Sequence, residues 1–552
     1  MNIKRTLLGV SFTMILGLTA LPQQAWMAPI NPVVAPSPGA WATGQTPANV
    51  SPTKPAILFV HGLTSKANVW YEDNDMYEYA YKNGYETAFI NMYDITGTPE
   101  DMWKDGELLA AKIQEISKYF GKKIVIVAHS KGGVDTQSAL VRYNAYPYVS
   151  RVITLSTPHH GSQLADLAYS SWAGWLADLV GSQSPGTSSL QTSYMDYFRS
   201  EMAKDPDINK VPFYTMSGNK WSGSGKASYT FGGSYLALFG SNDGVVTTES
   251  ALLPGATLIQ SGAWNHKTVR TGSFTFDLFK SYLGTVPAAV ASLKASSSVT
   301  KDTYTTESAI QDTSASEPAP VNYISQSSPS APSNSATSED GHGQYYIRGG
   351  QHSGTANETL TVENNVNQIS LDWISDQPLA HLELTSPSGK VQKIKLQSTP
   401  DDEFFHGAYH QLVTLPQPEA GQWKVQATSA SKGAYLMTAV YTPGAEQAEL
   451  KTNLSNNQLR MNVNTEGLDQ QRTHLNYTVN YYHPDGSKLA PPTERSNRSM
   501  ATSESVPTPV TNTPSIYVVT TDIDGYTEAG YPYRRTLVKS VYVDEQGNTY
   551  SN

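Results

Sequence analysis

The chain has 552 residues, with 48 acidic and 38 basic side chains and a net charge of −10. That length exceeds what one hydrophobic core serves, so several domains are expected. The acidic balance argues against a nucleic-acid partner, and the absence of cysteine excludes disulfides, thiol chemistry and Cys-ligated metals.

Lys4 and Arg5 precede an apolar run over 7–21 that is too short for a comfortable membrane span. With small residues at Ala20, Ala25 and Ala28, residues 1–28 read as a signal peptide. The Pro-, Ala- and Ser-rich stretch 29–54 reads as a loose lead-in. From 55 to 283, buried strands alternate with helical patterns, the mark of a parallel α/β sheet. The strands fall at 55–60, 86–90, 124–128, 151–155, 211–217 and 256–260. A helix over 106–119 carries Leu108, Leu109, Ile113 and Ile116 on one face. Residues 295–343 are dominated by Ser, Thr, Pro and Ala, a flexible linker that should couple its flanks only weakly. Beyond it, 369–373, 381–385, 422–425, 475–481 and 515–521 alternate with period two. Ser386-Pro387-Ser388-Gly389 and His483-Pro484-Asp485-Gly486 read as turns between them. Two β-sandwich modules, 344–444 and 445–552, are expected, with one larger sandwich as the alternative.

Ala128-His129-Ser130-Lys131-Gly132 follows the apolar run Ile124–Val127 and leads into a helical pattern. Strand, sharp turn and helix with Ser at the apex form a nucleophile elbow, whose strained backbone requires small residues two before and two after the serine. The helix N-terminus behind the serine favours developing negative charge. Upstream, a strand ends at His61-Gly62-Leu63, so the N–H groups of Leu63 and Lys131 are the candidate oxyanion donors. Downstream, the stretch 238–246 places Asp243 just after a strand, and His266 follows the strand over 256–260. The chain order Ser, Asp, His is that of one serine-hydrolase fold among the common three.

Together, His61-Gly62-Leu63, Ala128-His129-Ser130-Lys131-Gly132-Gly133, Ser156-Thr157-Pro158-His159-His160-Gly161-Ser162, Asn242-Asp243-Gly244-Val245-Val246 and Asn265-His266 resemble the secreted bacterial triacylglycerol lipases of the α/β-hydrolase fold. The resemblance covers about residues 50–285. It implies a mostly parallel sheet flanked by helices, a Ser130–His266–Asp243 triad and action on carboxylic esters. Many of these lipases carry Met or Gln where Lys131 stands; its backbone N–H can still serve. Some relatives bind calcium through an Asp just after the catalytic His, where this chain has Lys267; a structural calcium stays open as an alternative with no ligand set identifiable, and the triad chemistry requires no cofactor. The Leu-Glu-Leu-Thr-Ser-Pro-Ser-Gly stretch with Gly421-Gln422-Trp423 resembles the β-sandwich modules appended to secreted bacterial hydrolases.

The segment 164–180 falls where these lipases carry a lid; Leu167, Trp172, Trp175 and Leu176 would offer an apolar face to a lipid interface, or pack as a cap helix. Tyr194 and Phe198 could line the same acyl pocket or simply the core. His159 and His160 are adjacent in a loop and shape the pocket more readily than they ligate zinc. His129 packs and hydrogen-bonds and does not act as a base. Asp522-Ile523-Asp524-Gly525 reads as a hairpin turn, since a calcium loop would need a distal glutamate. The C-terminal tyrosines pack on sheets, or form a platform for a polymer or cell surface.

The expected protein is a secreted, extracellular serine carboxylic-ester hydrolase from a bacterium, by resemblance Gram-positive. Its substrate is a triacylglycerol or other ester, met at an interface or in solution. An extracellular polyester would suit the same triad. A surface- or matrix-binding protein with an inert hydrolase domain is the alternative of another class, and the intact Ser130, Asp243, His266 and His61-Gly62 set speaks against it.

Overall fold

The computed structural model describes residues 28–222, 226–286, 345–401, 403–442, 448–500, 503–509 and 513–551. The expected signal peptide (apart from Ala28) and linker lie outside them. The first sheet is built from β1 (Trp41–Thr43), β2 (Ala56–Val60), β3 (Thr87–Ile90), β4 (Ile124–His129), β5 (Val149–Leu155), β6 (Phe213–Gly218) and β7 (Thr257–Gly262). Their order is β1-β3-β2-β4-β5-β6-β7, all parallel except β1, which runs antiparallel on β3. Every residue of β2 and β4 is buried, as central parallel strands covered on both faces require.

Helices α1 (Met76–Lys82), α2 (Met102–Phe120) and α3 (Lys131–Val141) alternate with these strands. α2 starts at Asp101, whose carboxylate accepts from the N–H groups of Trp103 and Lys104, and stops at Gly121 in the left-handed region. Leu109, Ile113 and Ile116 are buried as expected, and Leu108 is half-buried. Four helices lie between β5 and β6: α4 (Gln163–Ala168), α5 (Gly174–Leu179), α6 (Pro185–Ser189) and α7 (Thr192–Lys204). α8 (Ala227–Leu236) lies between β6 and β7, and α9 (Gly272–Phe279) follows β7.

The stretch 29–54 contains β1, an edge strand of three residues that is too short for alternation to show. No strand precedes Asp243 directly. α8 does, and the apolar pair Leu238 and Phe239 follows its end, with Phe239 against Tyr235 and Tyr345.

The rest of the chain is antiparallel β. β8 (Tyr345–Val362), β9 (Gln368–Ser375), β10 (Leu379–Thr385), β11 (Val391–Lys393), β12 (Thr399–Pro400), β13 (Tyr409–Pro416) and β14 (Gly421–Thr442) form one sheet around the long β8–β14 pair. β15 (Ala448–Ser455), β16 (Gln458–Thr465) and β19 (Glu504–Pro507) form a second. β17 (His474–Tyr482), β18 (Lys488–Ser499), β20 (Ser515–Tyr526), β21 (Pro532–Val543) and β22 (Thr549–Tyr550) form a third, ordered β18-β17-β20-β21-β22. Asp522 to Gly525 lie inside β20, paired with β21, and not in a turn. Tyr346, Tyr441, Tyr477, Tyr481 and Tyr533 are buried strand residues.

The β-region is not loosely tethered. One apolar cluster runs from the hydrolase core through Leu176, Phe231 and Tyr235 into Tyr345, Ile374, Phe405, Leu436, Tyr482, Ile516 and Tyr542. The weak coupling expected from composition is replaced by a continuous packed interface on the insertions α4–α8.

Candidate active site

Ser130 sits between β4 and α3 with φ 55° and ψ −136°, a region costly for a side chain other than glycine. The strain persists because the surroundings leave no alternative. A Cβ on Gly132 would lie 2.2 Å from the His61 carbonyl oxygen, and one on Gly62 would lie 2.6 Å from the Ser130 Cβ. Small residues at those two positions let the elbow and the loop after β2 touch.

His266 Nδ1 is 2.7 Å from Asp243 Oδ2, and both side chains are buried. Asp243 Oδ1 accepts from the N–H groups of Val245 and Val246, and its carbonyl accepts from the His266 N–H. With Nδ1 donating to the carboxylate, Nε2 is left as the basic nitrogen, and it makes no hydrogen bond among the described residues. Ser130, His266, Gly62 and Leu63 line one cavity of about 690 Å³.

His61 accepts from the Met92 N–H at Nε2, which fixes its proton on Nδ1, directed at the Gly62 carbonyl oxygen. Burial lowers its pKa to about 4, so it is neutral and holds the loop that carries the Leu63 N–H. His129 donates from Nε2 to the His266 carbonyl and stacks on the His266 ring with centroids 4.5 Å apart. Burial, then the charge of His266, hold His129 well below the usual imidazole range. It braces the His266 ring from behind.

The Lys131 ammonium is fully buried, 2.5 Å from Asp105, 3.1 Å from Asp135 and 3.4 Å from Asp94. These three carboxylates are spaced to hold a metal ion, with oxygens within 4.8 Å of one another. The ammonium takes the place of such a cation. Burial opposes its charge, but the carboxylates outweigh burial and hold Lys131 well above its usual range. Burial also pushes Asp94 up to about 7 and Asp135 well above the carboxylate range. The cage ties α2 and the loop after β3 to the first turn of α3.

The structure does not bring the expected lid residues to this cavity. Leu167 and Leu176 are buried in the core, and Trp172 Nε1 donates to Asp522 of β20 at 3.1 Å with Arg348 over its ring. Trp175 is 56% exposed and lies away from the cavity wall, which that segment supplies through Ala165 and Val180. The β-region has claimed the apolar face. Tyr194 likewise meets Tyr542, accepts from Trp103 Nε1 and does not line the pocket. His159 is buried near the Thr154 hydroxyl, and His160 is half-buried with its N–H on Ser250. Among the described residues no metal-binding group includes either.

Sequence reasoning missed the residues that cover the site. The loop after β12 places Glu403, Phe404 and His406 in the cavity wall. Ser182 Oγ donates to the Phe404 carbonyl at 3.0 Å, and Tyr229 donates to Glu403 at 2.6 Å. Phe405 packs on Phe231. Asp401 shapes that loop, accepting from the N–H groups of Glu403, Phe404 and Phe405 and from His410 Nε2. The adjacent Phe404-Phe405 pair, apolar in an otherwise polar loop, was the one available signal.

A family model described as "Putative serine esterase (DUF676)" matches residues 53–195. The comparison with curated proteins finds no match. Among solved structures, the chain is similar to Bacillus licheniformis lipase BlEst2 in its propeptide form. That match is 32% identical, covers 94% of this chain and 100% of the other, and has a TM-score of 0.72. The mature form of the same lipase is 49% identical over 45% of this chain and 99% of its own, with a TM-score of 0.43. Aspergillus fumigatus lipase B is 17% identical over 41% of this chain and 52% of its own, with a TM-score of 0.26. The chain belongs to the family of Bacillus licheniformis lipase BlEst2, lipase-like α/β-hydrolases with a β-rich C-terminal region.

Proposed function

We propose that the chain is a secreted serine carboxylic-ester hydrolase, a triacylglycerol lipase or lipase-like esterase, made as a precursor whose β-region covers the active site. The observation that carries the hydrolase reading is the 2.7 Å contact from His266 Nδ1 to Asp243, opening on the cavity that holds the strained Ser130. Ser130 Oγ attacks the ester carbonyl while His266 Nε2 takes its proton. The tetrahedral oxyanion is held by the N–H groups of Leu63 and Lys131. His266 then protonates the leaving alcohol, and water hydrolyses the acyl-enzyme by the same route. Losing one oxyanion donor typically costs about 3 kcal/mol of barrier.

The precursor reading rests on the loop 403–406 in the cavity wall and on the likeness to a lipase in propeptide form. Release follows from cleavage between Val286 and Tyr345, where Ser, Thr and Pro dominate the sequence. Two measurements test the pair of readings. Ser130→Ala should abolish hydrolysis of a soluble short-chain ester while the melting temperature stays unchanged. Limited proteolysis of the full chain between those residues, followed by separation of the pieces, should raise the rate. Activity in a folded Ser130→Ala protein ends the first reading, and a rate that falls on cleavage ends the second.

A further inference from the structure

We infer that Lys226 and Arg270 in the wall of the Ser130 cavity, with the buried Tyr229 hydroxyl beside them, form an anion subsite, engaged by Glu403 through Lys226 and Tyr229 in the full chain and, once the β-region leaves, by a carboxylate or phosphate carried by the ester substrate. The inference rests on the precursor reading for its second half only.

Two donors converge on one carboxylate, and a third cationic side chain lines the same cavity. Lys226, just before α8, lies 3.3 Å from Glu403 Oε1, and the hydroxyl of Tyr229, in the first turn of α8, donates to the same oxygen at 2.6 Å. Tyr229 is 1% exposed, so its hydroxyl is a fixed, buried donor behind Glu403 and not a surface group that happens to reach. Burial, then the charge of Glu403, push its phenol well above the usual range, which keeps it a donor. Arg270 comes from the turn after His266 and lines the same cavity. Its guanidinium donates to the Val69 carbonyl, and among the described residues no carboxylate lies within 4 Å of it. Burial pulls Arg270 below the usual guanidinium range, and Glu403 is the first charge opposing that pull.

A docking ion pair would need Lys226 alone. A half-buried arginine facing a cavity without a paired carboxylate is costly unless an anion reaches it, and guanidinium geometry suits two-oxygen anions. Lys226, Tyr229 and Arg270 belong to the hydrolase part of the chain and stay when the β-region goes, whereas Glu403 does not. Glu72 and Asp73 also line the cavity, as do Lys66 and Lys267, so the subsite is a local feature of one wall and not a basic surface.

The test replaces the carboxylate and offers it back. In full-length Glu403→Ala, acetate at constant ionic strength should raise the melting temperature saturably by about 2–4 °C, while the wild-type chain does not respond. Adding Arg270→Met or Lys226→Met to Glu403→Ala should remove the response, and Glu403→Gln serves as the neutral control that keeps the shape. A response to inorganic phosphate in place of acetate would assign the subsite to phosphate-bearing esters. A kinetic arm uses the cleaved, separated enzyme on a pair of esters, one with a free carboxylate and one neutral. Arg270→Met should lower the anionic-to-neutral ratio of kcat/KM at least tenfold. No response to either anion in Glu403→Ala, or equal responses in every variant, overturns the inference. The melting arm needs no chemistry, so an inactive chain that still responds to acetate would sink the hydrolase reading and leave the subsite.

Discussion

His266 and His410 each hold an Asp carboxylate on Nδ1, at 2.7 Å from Asp243 and 2.5 Å from Asp372. They differ at the other nitrogen. His266 Nε2 makes no hydrogen bond among the described residues and belongs to a ring that lines the Ser130 cavity, whereas His410 Nε2 is held by Asp401 at 2.9 Å. Burial works against charge on His410, but two carboxylates outweigh it and raise its pKa to about 10. An imidazolium gripped from both sides has no lone pair to offer. The same residue types thus leave a lone pair open to the cavity in one region and build a buried ionic clamp in the other, and the unoccupied nitrogen decides which.

Exchanging the effects would break that comparison most severely. His266→Ala should lower kcat on the order of 10⁵–10⁶-fold with little change in melting temperature, and adding Ser130→Ala should make it no worse. His410→Ala should do the reverse. It leaves Asp372 and Asp401 facing each other without their cation, an arrangement that typically costs about 3–5 kcal/mol, so the melting temperature falls while the folded, uncleaved chain loses none of its rate. Rates on a soluble ester and melting curves for both variants read the two effects separately. A large loss of kcat in the folded, uncleaved chain from His410→Ala would mean that the two regions share the chemistry.

The carboxylates sharpen the contrast. Asp243→Asn should lower kcat about 10⁴-fold, because the amide cannot hold His266 in the required tautomer. Asp401→Asn removes charge from the group that gathers three N–H donors of the covering loop. Hydrolysis by the uncleaved chain should then rise several-fold as the loop opens. An unchanged rate, measured before any cleavage, would show that the loop does not limit access.

Acidity separates the two regions as well. The His410 pKa is raised in the fold, from 6.5 to about 10, so its contribution to stability is complete below about pH 6.5, declines as pH rises and is gone above about 10. Asp401 is shifted the other way, lowered despite burial by its bonds to His410, and its contribution is lost as pH falls through the acid range. The clamp is therefore at full strength from above the carboxylate range up to about pH 6.5. The melting temperature of the full chain should fall from pH 7 to 10, and His410→Gln should flatten that limb.

The sequence shows the first region and hides the second for a physical reason. Ser130, Gly132, Gly62 and the buried strands before them are local necessities of one turn, so neighbouring residues reveal them. Asp243 was legible from the stretch Asn242-Asp243-Gly244-Val245-Val246, although the helix before it was read as a strand. His410, Asp372 and Asp401 come together only through the register of β9 on β13, which pairs His410 with Ile374. Glu403 meets Lys226 and Tyr229 across more than 170 positions, a contact no local pattern encodes. The lid reading failed for the same reason: an apolar face announces that something covers it, but not whether the cover is lipid or the chain's own β20.

The smallest effect expected concerns one hydrogen bond. Ser182, beyond α5, donates to the Phe404 carbonyl at 3.0 Å and is the neutral counterpart of the charged contacts at Glu403. Removing it by Ser182→Ala leaves a single carbonyl without its partner at the edge of a solvent-reached cavity. Such a bond contributes about 1 kcal/mol, which corresponds to roughly a fivefold shift in the open fraction of the loop. The uncleaved chain should therefore hydrolyse a short-chain ester up to about fivefold faster, and the cleaved, separated enzyme should be unaffected. That pairing matters more than the size. Equal gains in both forms would place Ser182 in the substrate path, whereas a gain confined to the uncleaved form assigns it to the cover.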